Sequence, residues 1–374
     1  MYRKKHVAHA LRCLRYLPSP YVAEDVNRMT MAYFALASLE LLGELDTLLL
    51  EAEKKDYIEW IYRQQLSSGG FRGSPSVNKD LLLGNIIVNS FAAIICLALL
   101  QDDFSRLNKH GLLSIINSSQ QADGSFSEIS NHDYCEQGDL RMIYSAFAIC
   151  KMLNDWTQLD IDLSLSYLKK CRTYEGGFGM SPTQEAHGGS TFCTLASFLL
   201  ASRISDLDQD KPLIFRWIVS RQVPPLATTE DDRDKEEEEE EEEEVKEEEP
   251  IESSKLDVDL FTGGQVDGCA GFQGRANKKP DACYSFWLNA SAKVLDPFQQ
   301  QSMLSTSHDH AWLLSCQAPQ IGGIARAPDS LPDIYHTYMS LAALSIGGHE
   351  SGLGPLCPEL TAPARVVQYL RSKF

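Results

Sequence analysis

The 374-residue sequence predicts an all-α protein built from repeated helical hairpins. Three observations carry the prediction: a Gly-rich turn recurring about every 53 residues, apolar residues at helical spacing on both sides of it, and sparse strand-like alternation. The turns are Gln65-Leu-Ser-Ser-Gly-Gly-Phe71, Gln121-Ala-Asp-Gly-Ser-Phe126, Cys171-Arg-Thr-Tyr-Glu-Gly-Gly-Phe178, Gly268-Cys-Ala-Gly-Phe272 and Cys316-Gln-Ala-Pro-Gln-Ile-Gly-Gly-Ile324. Marked by Gly70, Gly124, Gly177, Gly271 and Gly323, they follow at steps of 54, 53, 94 and 52. The long step carries about 41 extra residues, an insertion within an otherwise regular array.

Each unit reads as helix, turn, helix. Ile58, Ile61, Tyr62 and Leu66 precede the first turn at helical spacing; Phe91, Ile94, Ile95, Ala98 and Leu99 follow it. Met31, Phe34, Ala35, Ser38, Leu39 and Leu42 give the same pattern near the N-terminus. Leu81 to Leu100 is the most apolar stretch, but Asn85, Asn89 and Ser90 mark it as a buried helix rather than a membrane span. Such hairpins stack as an open solenoid or close into an α/α barrel. The unit size favours closure, but spacing does not decide between them.

The formal charge of −18 is unevenly placed, with Glu230 to Asp259 holding 19 acidic and 4 basic side chains. The rest, with 33 acidic and 30 basic groups, is nearly neutral, and nothing in it points to nucleic acid. Residues 223–262, with nine consecutive glutamates from Glu236 to Glu244, are expected to form an acidic, disordered insertion in a single domain spanning 1–374. The ten cysteines include no CxxC pair, and the basic N-terminus has no apolar run behind it. Both features lead to the expectation of reduced thiols and a cytoplasmic protein.

Polar residues recur at matching offsets from the turn glycines. His187 is 10 past Gly177, Asp281 and Cys283 are 10 and 12 past Gly271, and His336 is 13 past Gly323. In a ring, equal offsets mean equal height, where the second helix of each unit begins. Pro280-Asp281 and Pro332-Asp333 also read as helix starts with Asp as N-cap. Asp281, Cys283 and His336 form an O, S, N set of three, the number that leaves a catalytic Zn²⁺ one open position; an N-cap, a core thiol and a satisfied imidazole account for them equally well. Arg275, Lys278 and Lys279, with His187 and Tyr284 nearby, could hold a phosphate or diphosphate, or form a solvated turn.

The stretches Glu185-Ala-His-Gly-Gly-Ser-Thr-Phe-Cys193, Gly271-Phe-Gln-Gly-Arg-Ala-Asn-Lys278, Asp281-Ala-Cys-Tyr-Ser-Phe-Trp287 and Pro332-Asp-Ile-Tyr-His336 resemble those of protein prenyltransferase β subunits. Asn27 to Leu36, Glu59 to Tyr62, Asp102 to Lys109 and Met152 to Trp156 are similar to the type I geranylgeranyl branch. The resemblance covers nearly everything but the acidic insertion, and implies an α/α barrel, one Zn²⁺ on Asp281, Cys283 and His336, and a helical α subunit as partner. It implies transfer of geranylgeranyl from its diphosphate to the cysteine of C-terminal CaaX motifs, as on small GTPases, with the acceptor thiol bound to zinc as thiolate.

By the same resemblance His187, Arg275, Lys278, Tyr284 and Arg326 receive the diphosphate, and Arg141 lies near the acceptor peptide's C-terminus. Thr30 stands where farnesyl enzymes carry a bulky Trp, leaving room for a 20-carbon chain. Arg326 replaces their magnesium-binding Asp, so Mg²⁺ should not be required. Asn85, Ile87 and Met142 depart from the family pattern around the peptide pocket, leaving the preferred last CaaX residue open. The alternatives are a farnesyl or Rab-type β subunit, and an inactive scaffold for the α subunit.

Overall fold

The computed structural model describes residues 1–16, 21, 23–77, 86–127, 139–224, 269–296, 304–328, 330–348 and 352–374. These contain fourteen α-helices and three two-stranded antiparallel pairs. In chain order, α1 (Arg3–Arg15) precedes α2 (Arg28–Leu41) and the short α3 (Leu45–Leu48). Four hairpins follow: α4 (Glu51–Arg63) with α5 (Ile86–Leu99), α6 (Lys109–Ser119) with α7 (Leu140–Met152), α8 (Ile161–Lys170) with α9 (Gly188–Leu200), and α10 (Lys211–Val219) with α11 (Ala282–Leu295). A last hairpin, α12 (Thr306–Ser315) with α13 (Ile334–Gly347), precedes α14 (Ala364–Arg371).

The inner helices close a ring. Helix α2 packs on α5, α5 on α7, α7 on α9, α9 on α11 and α11 on α13, and α13 returns to α2. An open solenoid would leave α2 and α13 apart, so the contact between them decides for the barrel. The α1–α2 hairpin, which has no Gly-marked turn, supplies the sixth unit. Composition sorts the layers: α5 buries twelve of its fourteen residues, as a helix surrounded by protein must, whereas outer α8 buries only Ser164, Leu165, Tyr167 and Leu168. The described part of the apolar 81–100 stretch is thus a core helix, and none of the described helices is long and apolar enough to cross a membrane.

Each Gly-rich turn is pinned by an antiparallel bridge to its aromatic residue or Ile: Gln65 with Phe71, Gln120 with Phe126, Arg172 with Phe178, Gln222 with Phe272 and Gln317 with Ile324. The bridged aromatic or Ile is therefore the true register mark, and Gly124 lies one residue earlier in its turn than the other four glycines. Glycine is required because the next outer helix starts against the turn. A Cβ on Gly124 (φ 93°) would lie 2.3 Å from the Leu163 carbonyl oxygen, and one on Gly176 (φ 112°) 2.4 Å from that of Leu213.

The acidic insertion falls within one such turn. Val223 pairs with Gly271, so Val223 belongs to the barrel and not to the insertion, which corrects the expected boundary. Residues 225–268, which include 225–262 of the segment expected to be disordered, lie outside the described residues. Because its two ends are already bridged, replacing 225–268 by a short turn like its sisters is expected to shift the melting temperature by no more than about 2 °C. A fall of 10 °C in thermal unfolding would show that the segment packs on the barrel.

The C-terminal segment closes the barrel from the end opposite the inner-helix N-termini. Gly354 donates to the Leu41 carbonyl at the end of α2, and α14 packs under α5 and α7. Thr361 is held by three inner helices: the hydroxyls of Tyr33 and Tyr338 donate to its carbonyl, and that of Tyr144 lies 2.9 Å from its Oγ1. A groove of about 310 Å³ at this end, lined in part by Met152, Leu200, Leu360 and Leu370, is remote from the polar residues of the rim.

Candidate functional site

The six units run outer helix, turn, inner helix, so the inner helices are parallel and their N-termini share one rim. That rim gathers the positive ends of the helix dipoles. His187, Asp281 and Asp333 are the N-caps of α9, α11 and α13, each ten residues past its turn glycine, as equal offsets require. Asp139 caps α7 at the same rim.

Asp281, Cys283 and His336 converge there, each offering one ligand atom, and these atoms all lie within 4.8 Å of one another. Asp281 Oδ1 accepts from the Cys283 backbone N–H at 2.9 Å, and the same oxygen lies 3.3 Å from His336 Nε2. Asp333 accepts the His336 backbone N–H at 2.8 Å, and its other oxygen lies 2.5 Å from Nδ1. The imidazole is thereby clamped with Nε2 pointing at Asp281. An N-cap Asp three residues before a candidate ligand His was legible as spacing, yet the sequence reading took Asp333 only as a helix start.

The electrostatics fit a dication. Burial alone would lower His336, but Asp281 and Asp333 outweigh it and raise its pKa to about 9. Burial pushes the Asp281 carboxyl up, and His336 with the Cys283 N–H brings it below the usual range. Cys283, only 5% exposed, is pushed well up by burial and then by Asp281. Two carboxylates thus enclose a protonated imidazole beside a protonated thiol. A divalent cation held by Asp281, Cys283 and His336 would take the place of both protons and satisfy the same carboxylates. Carboxylate, thiolate and imidazole suit Zn²⁺, with Asp333 as the outer carboxylate that fixes the His tautomer.

Beside this set lies a hydrogen-bonded pair. His187 Nδ1 accepts from the Gly189 N–H at 3.1 Å, so Nε2 carries the proton and donates to the Tyr284 hydroxyl at 2.9 Å. Burial, then Arg275 and Arg141, lower the His187 pKa to about 4, so it is a neutral donor at pH 7. Two glycines make room for Tyr284: a Cβ on Gly274 would sit 2.0 Å from its ring, and one on Gly188 2.8 Å from it. Gly188 also donates to the Gly274 carbonyl at 2.9 Å, tying α9 to the basic loop.

The remaining residues singled out in the sequence are arranged around the same rim. Arg275, Lys278 and Lys279 are exposed on the loop before α11, with Arg275 3.8 Å from Glu185. Arg326 is exposed, and its carbonyl accepts from the Ala282 N–H at the start of α11. Arg141, 65% exposed, is engaged by Asp139 of its own helix start at 2.6 Å. Thr30 faces Asn89 of α5, Oγ1 to Oδ1 3.4 Å. Ile87 and Met142 are buried on α5 and α7, whereas Asn85 lies outside the described residues.

Below the rim an aromatic belt circles the interior, with two members on α2 and one on each of the other inner helices. From Phe34, contacts run through Tyr33 to Phe91 (6.0 Å between ring centroids), Tyr144 (5.7 Å), Phe192 (5.4 Å) and Trp287 (5.0 Å). Trp287 Nε1 donates to the Tyr335 hydroxyl at 3.2 Å, and Tyr335 meets Phe34 at 5.5 Å, closing the circle. The sequence reading had only Phe34 as an example; the others sit one per repeat at the inner-helix start.

Fold and site together define an α/α toroid with a candidate three-ligand metal site at the mouth of an aromatic barrel. Comparison with known proteins gives that class its family: residues 1–362 match the prenyltransferase alpha-alpha toroid domain. The chain is 30% identical over 364 residues to the type-1 geranylgeranyl transferase β subunit of Dictyostelium discoideum, spanning 90% of this chain and 88% of that one. The Arabidopsis thaliana β subunit of the same type is 30% identical over 388 residues, 96% and 88% of the two chains, and a Schizosaccharomyces pombe farnesyltransferase β subunit is 29% identical, over 91% and 77%. Candida albicans protein geranylgeranyltransferase-I, solved with GGPP, superposes with a TM-score of 0.80 at 25% identity, covering 100% of this chain and 99% of that one. The chain belongs to the prenyltransferase α/α-toroid family.

Proposed function

We propose that the chain is the β subunit of a type I protein geranylgeranyltransferase, which transfers geranylgeranyl from its diphosphate to the cysteine of C-terminal CaaX motifs as a heterodimer with an α subunit. One observation carries the reading: Asp281, Cys283 and His336 gather at the rim of an aromatic barrel, directly beside the His187–Tyr284 pair. Asp281, Cys283 and His336 would hold Zn²⁺, which supplies the chemistry of keeping an acceptor thiol deprotonated near neutral pH.

The chain's own residues do the rest. The aromatic belt takes the isoprenoid and excludes water. The diphosphate lies against the inner-helix N-termini, where Arg275, Lys278 and Arg326 offer cations and Tyr284, oriented by His187, offers a hydroxyl proton. As the S–C1 bond forms, the C1–O bond breaks, and the diphosphate leaves with the electron pair into this donor set. Arg141 receives the peptide's terminal carboxylate. Both the type-1 relatives and the small residue at Thr30 favour geranylgeranyl over farnesyl.

The test is to co-express the chain with an α subunit and compare geranylgeranyl with farnesyl diphosphate on CaaX peptides ending in Leu, Met or Ser, with and without Mg²⁺. Geranylgeranyl is expected to be preferred at least tenfold without added Mg²⁺. Preference for farnesyl, or an absolute need for Mg²⁺, would sink the type I reading. Turnover by neither donor would leave a scaffold.

A further inference from the structure

In three units a hydroxyl early in the inner helix caps the turn. Phe71 N–H donates to Ser90 Oγ at 2.9 Å, Phe178 N–H to Thr191 Oγ1 at 3.0 Å and Ile324 N–H to Thr337 Oγ1 at 2.9 Å. Ser90 and Thr337 pass their own protons to the carbonyl four residues back, Ile86 at 2.7 Å and Asp333 at 2.5 Å. Ser285 holds the same place in α11, thirteen residues past Phe272, as Thr191 is past Phe178 and Thr337 past Ile324. Its proton goes elsewhere. It is donated outward, at 2.6 Å, to Oδ1 of Asp309 on the outer helix α12. One turn further along α11, Asn289 donates at 2.8 Å to Oδ2 of the same carboxylate, and at 2.7 Å to the Ser285 carbonyl.

Asp309 is 5% exposed, and burial pushes its carboxyl up to about 7 against the two donors. A buried carboxylate is costly, and here both its oxygens are spent on one face of one inner helix. That helix is the one that carries two of the three candidate metal ligands, Asp281 and Cys283, as well as Tyr284. We propose that Asp309 is a positioning residue for the metal site: by gripping Ser285 and Asn289 from outside the ring, it fixes the rotation of α11 and thereby the placement of Asp281 and Cys283. The magnitude is sufficient. A side-chain atom at a radius of roughly 5–6 Å moves about 1 Å for a 10° rotation of its helix, whereas metal–ligand distances tolerate about 0.2 Å.

The inference rests on the metal-site reading above, and its test does not need turnover. The full chain with its α partner is titrated with zinc against a chromophoric chelator, and the visible spectrum of the cobalt-substituted protein is recorded. Asp309→Leu is expected to weaken zinc binding roughly 10- to 100-fold and to alter the cobalt bands, as loss of an outer partner does. Asp309→Asn, which keeps an acceptor for Asn289 and the side-chain shape, is expected to stay within about threefold of wild type. Should Asp309→Leu fail to fold, Ser285→Ala removes one bond from the clamp and is expected to weaken zinc roughly three- to tenfold. Wild-type affinity and spectrum in the folded Leu or Ala variant would overturn the positioning role. A wild-type chain that binds no zinc would overturn the metal-site reading itself.

Discussion

Cys283→Ala is expected to strip the site of zinc and to lower turnover by roughly a thousandfold, the loss of several kcal/mol that a metal ion contributes. The remaining Asp281 and His336 supply two ligands where a catalytic zinc site uses three. The buried thiol makes a poor thiolate by itself, since burial and Asp281 both hold it protonated. Its ionisation and the ion's presence therefore stand or fall together. Cys150→Ala, at a buried thiol on α7, serves as the control and should keep both zinc and activity. Zinc per chain after dialysis and transfer of labelled isoprenoid are the measurements, and a Cys283→Ala protein that retains its metal would remove Cys283 from the site.

Removing the ion from the wild-type chain gives a second readout. Without it, His336 is protonated between Asp281 and Asp333 with a pKa of about 9, above its unfolded value near 6.5. A raised folded-state pKa gives stability that is fully present below pH 6.5 and is lost as the pH rises through 9. The apo protein should thus lose on the order of 2–3 kcal/mol between pH 6.5 and 9, and the zinc-loaded protein should lose less, because the ion occupies the position of that proton.

Much of this site was legible because the repeat is a ruler. Ten residues from the turn glycine to the N-cap placed His187 and Asp281 at one height, and the same offset gives Asp333. Ring closure was less legible, since spacing fixes what a unit is but not whether the last unit meets the first; that depended on α13 packing on α2. Side-chain pairings between units were not legible at all. The His336–Asp333 clamp lay in a readable i, i+3 spacing but looked like simple capping. The Ser285–Asp309 bond and the three tyrosines on Thr361 join residues 23 to 328 apart in the chain, and no local pattern marks them. The register error at Gly124 has the same origin: the bridge to Phe126, a tertiary feature, sets the register.

Thr30→Trp is expected to invert the isoprenoid preference. Thr30 lies one turn before Phe34 on α2, hence on the same face as a member of the aromatic belt, and its hydroxyl meets Asn89 across the α2–α5 contact. An indole there takes up space that the last prenyl unit would fill. A geranylgeranyl chain is five carbons longer than farnesyl, and about 0.8 kcal/mol per buried methylene puts the lost burial near 3–4 kcal/mol. The kcat/KM for geranylgeranyl diphosphate should fall by roughly a hundredfold or more, while that for farnesyl diphosphate falls little or rises. Thr30→Ala separates bulk from hydrogen bonding: it removes the Asn89 contact without filling space, and should leave the ratio of the two donors within about threefold of wild type. If the Trp variant kept its geranylgeranyl preference, or the Ala variant shifted it as far, Thr30 would not set the depth of the pocket.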